Sequence, residues 1–134
     1  MYLNNGIKSY IAVSILMICS VLSSGQSTPQ AANDDYRTNI NTTLDEPAPG
    51  VLANDTGADI ENIKITKFTI NGNDYGVGET FTIPGEGEIS INADGSFIFR
   101  PATDFTGDVQ PINYTISDGT TTSTADIYLT VYQP

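Results

Sequence analysis

The chain has 134 residues, with sixteen acids against five bases, and its net charge of −11 repels nucleic acid phosphates and excludes that class of partner. It has no histidine, and Cys19 is its single cysteine, so Ser-His-Asp and Cys-His nucleophiles, disulfides and the usual zinc and copper ligand sets are all excluded. What remains is oxygen chemistry from carboxylates, amides and hydroxyls, the kind that suits hard cations.

Residues 1–25 read as a secretory signal: Lys8 in a polar leader, an apolar run from Ile11 to Leu22, then the small residues Ser23-Ser24-Gly25. The run is shorter than the roughly 20 apolar residues of a membrane span. Cys19 reads as a buried apolar residue of that signal. The alternative is a lipid anchor on Cys19: Leu16 resembles the lipoprotein arrangement, whereas Ile18 stands where a small residue is expected. Residues 26–32, QSTPQAA, read as a polar spacer, and residues 33–134 as one domain. Beyond residue 25 the bases are Arg37, Lys64, Lys67 and Arg100, against all sixteen acids, which keeps an exported chain soluble.

From Asn33 onward, short strands alternate with turns and no helical period is sustained. In VLANDTG, residues 51–57, an early strand ends and a loop begins; Val51 and Leu52 enter the core and Gly57 is free to turn left-handed. Along residues 61–70, Ile63 and Ile65 share one parity while Phe68 and Ile70 take the other, which predicts a β-bulge near Lys67. Pro84-Gly85 separates Phe81-Thr82-Ile83 from the alternating pair Ile89 and Ile91. Asn92-Ala93-Asp94-Gly95-Ser96 then turns the chain into a strand carrying Phe97 and Phe99, which Pro101 ends. Ile112, Tyr114 and Ile116 share one face, and after the turn at Ser117-Asp118-Gly119-Thr120 so do Ala125, Ile127, Leu129 and Val131. This final hairpin needs its edges blunted, a task suited to Asp126 and a threonine-rich outer face. The pattern predicts an all-β sandwich of about seven to nine strands.

Five segments in order resemble the bacterial cadherin-like and immunoglobulin-like repeats of surface adhesins, including VCBS-type and fibril-type repeats: ANDDYRTN at 32–39, APGVLANDTGADIENIKI at 48–65, GEISINADGSFIFRPATDFTGD at 87–108, INYTISDG at 112–119 and ADIYLTV at 125–131. The resemblance implies an immunoglobulin/cadherin-like Greek-key β-sandwich acting in adhesion or as a spacer, secreted or at a bacterial cell surface, with a surface protein or glycan as partner. The chain holds one copy of the pattern rather than a tandem array, and the acidic linker pattern of animal cadherins is incomplete.

Calcium is the candidate cofactor, since it takes six to eight oxygen ligands. Its candidate ligands are Asp35 (with Asp34 beside it), Glu46, Asn54, Asp55 and Asp59, from loops that a sandwich can gather at one end. The same residue types also form tight turns with no metal present. Tyr128 and Tyr132, on the polar face of the last strand, are the candidate residues of an alternative function, a carbohydrate-binding module; cross-strand packing is the plainer reading. Catalysis is not expected: carboxylate pairs arise by chance among sixteen acids, and a domain this small leaves little room for a deep cleft.

Overall fold

A computed structural model describes residues 27–57 and 60–134. Residues 1–25, read from the sequence as an export signal, lie outside the described residues, as do Cys19 among them and Asp59. The strands are β1 (Asp34–Asn39), β2 (Leu44–Glu46), β3 (Lys64–Ile70), β4 (Asn73–Gly76), β5 (Thr80–Ile83), β6 (Gly87–Ile91), β7 (Phe97–Pro101), β8 (Gly107–Asp108), β9 (Ile112–Ser117) and β10 (Thr122–Tyr132). One sheet runs β1-β10-β9-β3-β4, with β8 also paired to β10, and the other runs β2-β7-β6-β5. The all-β sandwich expected from the alternation is therefore present; a tenth strand arises because the short β8 pairs with only two residues of β10.

The inner faces follow the alternating residues. Ile112, Tyr114 and Ile116 of β9 meet Ile127, Leu129 and Val131 of β10 and Phe97 and Phe99 of β7 in one core. Burying each large apolar side chain contributes about 1.5–3 kcal/mol, so this core is the main source of stability. Aromatic contacts join the two sheets: Tyr36 of β1 meets Phe97 of β7 edge-on, with centroids 4.8 Å apart. Phe68, Tyr75 and Phe81 form a second series, where the chain passes from one sheet to the other.

The register of β3 against β9 shifts between Ile65 and Lys67, the expected bulge. Thr66 is the extra residue, and beside it the Ile65 N–H donates to Ala93 O at 3.0 Å, outside the strand ladder. The β6–β7 turn that carries Ala93 also grips the VLAND segment, for Val51 N–H donates to Gly95 O at 3.1 Å.

Three expectations are corrected here. Residues Gly50–Asn54 form a short 3-10 helix instead of a strand end, closed by Leu52 N–H on Pro49 O and Asp55 N–H on Leu52 O. Val51 is buried in the core and Leu52 packs against it from a partly buried position. Gly57 is not left-handed; a Cβ there would press on the Ile63 side chain and the Pro29 backbone, at 3.0 and 3.2 Å, so these neighbours would have to give by a few tenths of an ångström. Finally, β10 is not an edge. The first strand, β1, lies parallel beside it, from Asp34 opposite Ile127 to Asn39 opposite Tyr132.

Gly50 and Gly95 mark the tightest backbone approach: a Cβ on Gly95 would sit 2.0 Å from Pro49 O, and one on Gly50 the same distance from Gly95 O. Gly95 also has φ +87, whereas Gly119, at φ +95, has open space around it. Gly95→Ala is therefore expected to cost at least about 2 kcal/mol and Gly119→Ala about 1 kcal/mol, from the left-handed backbone alone in the second case. Urea unfolding of both variants checks the ordering.

Candidate functional site

The most polar part of the interior lies where the chain enters the sandwich. Residues 29–34, most of them read as spacer from the sequence, dock onto the domain. Pro29 is buried. Gln30 bridges Thr56 through two backbone hydrogen bonds. Ala31 N–H donates to Ser123 Oγ at 3.0 Å, and Ala32 N–H to Asp55 Oδ1 at 2.8 Å. Asn33 accepts twice, on its backbone O from Asn54 Nδ2 at 3.0 Å and on its Oδ1 from Asp126 N–H at 2.9 Å.

Tyr114 stands at the centre of this cluster. Its place between Ile112 and Ile116 on the inner face of β9 buries the ring completely. The hydroxyl must then find partners inside the protein. It lies 2.9 Å from Ala32 O, 3.0 Å from Asp34 Oδ2, 3.1 Å from Asp55 Oδ1 and 3.3 Å from Val51 O. A phenol has one proton to donate, so these acceptors outnumber the donor. Both carboxylates are buried, Asp34 being 7% exposed and Asp55 3%.

Burial is the main cause of the shifted acidities. It pushes the Asp34 carboxyl up to about 6 from 3.8; the Asp55 and Asp35 charges add to the rise and hydrogen bonds from Tyr114 and Asn54 oppose it. Burial also raises Asp55, against the bonds from Ala32 N–H and Tyr114. The Tyr114 phenol is pushed up by burial and by the two carboxylate charges. Tyr36 is pushed up to about 12, by burial first and then by Asp34, Glu46 and Asp55. A proton retained on Asp34 would add a donor to those of Tyr114, Ala32 and Asn54.

The structure separates the residues singled out from the sequence. Asp55 is in the cluster, and Asn54 sits at its margin. Asp34 points inward in the place expected of its neighbour; Asp35 is exposed on the outer face, opposite Tyr128. Glu46 lies on β2, opposite Phe97, near enough to Tyr36 to act on its phenol. No three acidic, cysteine or histidine side chains gather as a metal site among the described residues. Asp118, Asp94 and Asp74 serve turns and a hairpin. Asp118 Oδ1 accepts from Thr120 and Thr121 N–H, Asp94 Oδ1 from Ser96 N–H, and Asp74 pairs with Lys67 at 2.6 Å. Alternation places Tyr114 in the core without revealing its polar role; the signal for that role is a phenol on an apolar inward face.

The tyrosines of the outer face do not form a continuous platform. Tyr128 and Tyr132 are both exposed, but Thr130 stands between them on a strand that rises about 3.4 Å per residue. The Arg37 guanidinium lies over the Tyr132 ring, 5.5 Å from its centroid. Tyr128 instead borders a depression of ≈ 340 Å³ with Asp35, Asp108 and Thr130.

The two packed sheets and their polar entry define a β-sandwich module. The model of the bacterial cadherin-like domain matches residues 26–133, and the chain belongs to that family. Domains of this family are typically extracellular and non-catalytic. No curated protein matches the chain. No helix among the described residues is long and apolar enough to cross a membrane.

The sign of the pH dependence follows from the raised carboxyls. A carboxyl whose folded value lies above its unfolded value contributes stability that is full below the unfolded value and is lost as pH rises through the folded one. Asp34 therefore predicts a melting temperature that climbs as pH falls from 7 toward about 4, with the change spread between its value of about 6 and the ordinary 3.8. Asp74, Asp94 and Asp118 are lowered, by hydrogen bonds first, so their opposing loss begins only below the usual carboxylate range. Asp34→Asn should flatten the climb. Tyr114→Phe keeps the ring and removes the only shared donor, and is expected to cost about 1–3 kcal/mol at neutral pH in denaturant unfolding.

Proposed function

We propose that this chain is an exported, non-catalytic module for adhesion or structural spacing at a bacterial cell surface. The observation that carries this reading is the parallel pairing of β1 with β10. The chain enters the sandwich beside Ile127 and leaves it beyond Asn39, so entry and exit lie toward opposite ends of the sheet. Such a module adds its own length to whatever is joined to it, about 35 Å for a strand as long as β10. The excess of acids over bases supports solubility outside the cell, and the apolar run from Ile11 to Leu22 supports export. The partner in this reading is a surface protein or a glycan.

Calcium stabilisation is the finer part of the proposal, located at the acid-rich entry around Asp34, Asn54 and Asp55. What supports it is the convergence of carboxylate and carbonyl oxygens there, the ligand type that calcium takes.

Two measurements test the reading. Fractionation of expressing cells should place the chain outside the cytoplasm with residues 1–25 removed; an intact chain retained in the cytoplasm overturns export. Calcium should raise the melting temperature and chelator should reverse the rise. Equal values in both leave the module standing without a metal.

A further inference from the structure

We propose that Asn71-Gly72 is a self-modification site, where the main chain converts the Asn71 amide into a carboxyl and so marks the module with its age. The chemistry goes beyond adhesion or spacing and needs no partner. The Gly72 nitrogen attacks Asn71 Cγ as base removes its proton, and a cyclic imide closes. The bond from Cγ to the side-chain nitrogen breaks, and ammonia leaves. Water then adds to either imide carbonyl and opens the ring, leaving an aspartyl or an isoaspartyl residue at position 71. Glycine suits the second position because it leaves the attacking nitrogen unshielded.

Among the described residues, Asn or Asp stands before glycine at Asn71-Gly72, Asp94-Gly95 and Asp118-Gly119. At the two Asp steps the nitrogen is occupied: Gly95 N–H donates to Asn92 O at 3.1 Å and Gly119 N–H to Ser117 Oγ at 3.0 Å. Their carboxylates accept from Ser96 N–H and from Thr120 and Thr121 N–H, and these bonds hold them ionised, a form that resists attack. Asn71 differs on both counts. It and Gly72 are the loop residues of the β3–β4 hairpin, between paired Ile70 and Asn73, with φ +53 and +77. Both are exposed. Gly72 N–H donates to no described residue, and the space beside its Cα is open, so water and base can reach it. On the electrophile, Gln110 Nε2 donates to Asn71 Oδ1. That oxygen gains negative charge as the nitrogen attacks, so a donor fixed on it favours the attack. Gln110 is itself anchored by its N–H on Glu86 Oε2 at 2.7 Å. The isoaspartyl product puts one more carbon into the main chain of this tight turn. The strand that follows, β4, lies at the end of its sheet against β3, and its Tyr75 ring packs on Phe68 and Phe81. Modification therefore loosens that edge strand.

Peptide mapping by mass spectrometry tests the site. The full chain is kept folded in mildly alkaline buffer, sampled over weeks and digested. Each peptide is scored for the mass of the carboxyl form, and isoaspartate by its chromatographic shift. The Asn5-Gly6 step, outside the described residues, is scored on its own peptide. Carboxyl is expected to accumulate at position 71 at least about ten-fold faster than at Asn41, Asn54, Asn92 or Asn113. Gln110→Ala keeps the N–H that Glu86 accepts; it is expected to slow the gain about five-fold or more in the folded chain and to change nothing in urea, where the contact is lost. In the modified fraction, amide exchange at Asn73–Gly76 should rise while Ile112–Ser117 stays protected. No gain at position 71, or an equal gain at the other asparagines, overturns the site. Isoaspartate forming as fast at position 94 or 118 overturns the selection among the three steps. An equal or higher rate in folded Gln110→Ala overturns the part given to Gln110, and unchanged exchange in β4 overturns the loosening.

Discussion

One phenolic hydrogen, that of Tyr114, faces more acceptors than it can serve, and much of the structure is arranged around that shortage. The ring is locked between Ile112 and Ile116, so the hydroxyl cannot leave for water. Around it gather the carbonyls of Ala32 and Val51 and the carboxyls of Asp34 and Asp55. These come from the entering segment, the 3-10 helix and the segments on either side of them. A single point in the core thus ties together stretches far apart in sequence. Low local dielectric strengthens each bond made there and raises the cost of each one missed.

The arrangement explains why the acidic residues divide into two kinds. Asp94 and Asp118, in turns, are lowered by hydrogen bonds from turn amides and hydroxyls, and they shape the chain locally. The two in the core are raised, since burial penalises their charge more than the phenol relieves it. Turn-forming aspartates can be replaced by other turn residues at modest cost. The buried pair cannot be replaced so simply, since each is part of the hydrogen bonding of two or more other residues.

Much of the fold was legible in the residues themselves. The alternation at Ala125, Ile127, Leu129 and Val131 places these side chains in the core, and the change of parity between Ile65 and Phe68 locates the bulge. Alternation reports which face of a strand is buried but not which strand lies beside it, so the parallel seat of β1 on β10 could not be read. The same limit hid the docking of residues 29–32, whose ties are made by backbone groups that every residue carries. In the candidate site, composition singled out the loop acids, and it did not separate buried Asp55 from exposed Asp35. A strand reverses its face at each residue, and that reversal separates Asp34 from Asp35. VLANDTG was informative for a different reason: its glycine-flanked 3-10 helix fits against the Gly95 turn, a contact between two of the segments that identify the family.

The pairing of the first strand with the last has a consequence for the order of folding. Asp126 bonds Asn33 across a sequence separation of 93 residues. A ribosome that has not yet made β10 has no seat to offer β1, whatever else has formed. Contacts at such separation are the slowest to find because loop closure must come first. The sheet therefore closes only once β10 has been made, and until then β1 and β9 stay without their final neighbour. Among the described strands, the one that completes the domain is the last to be made.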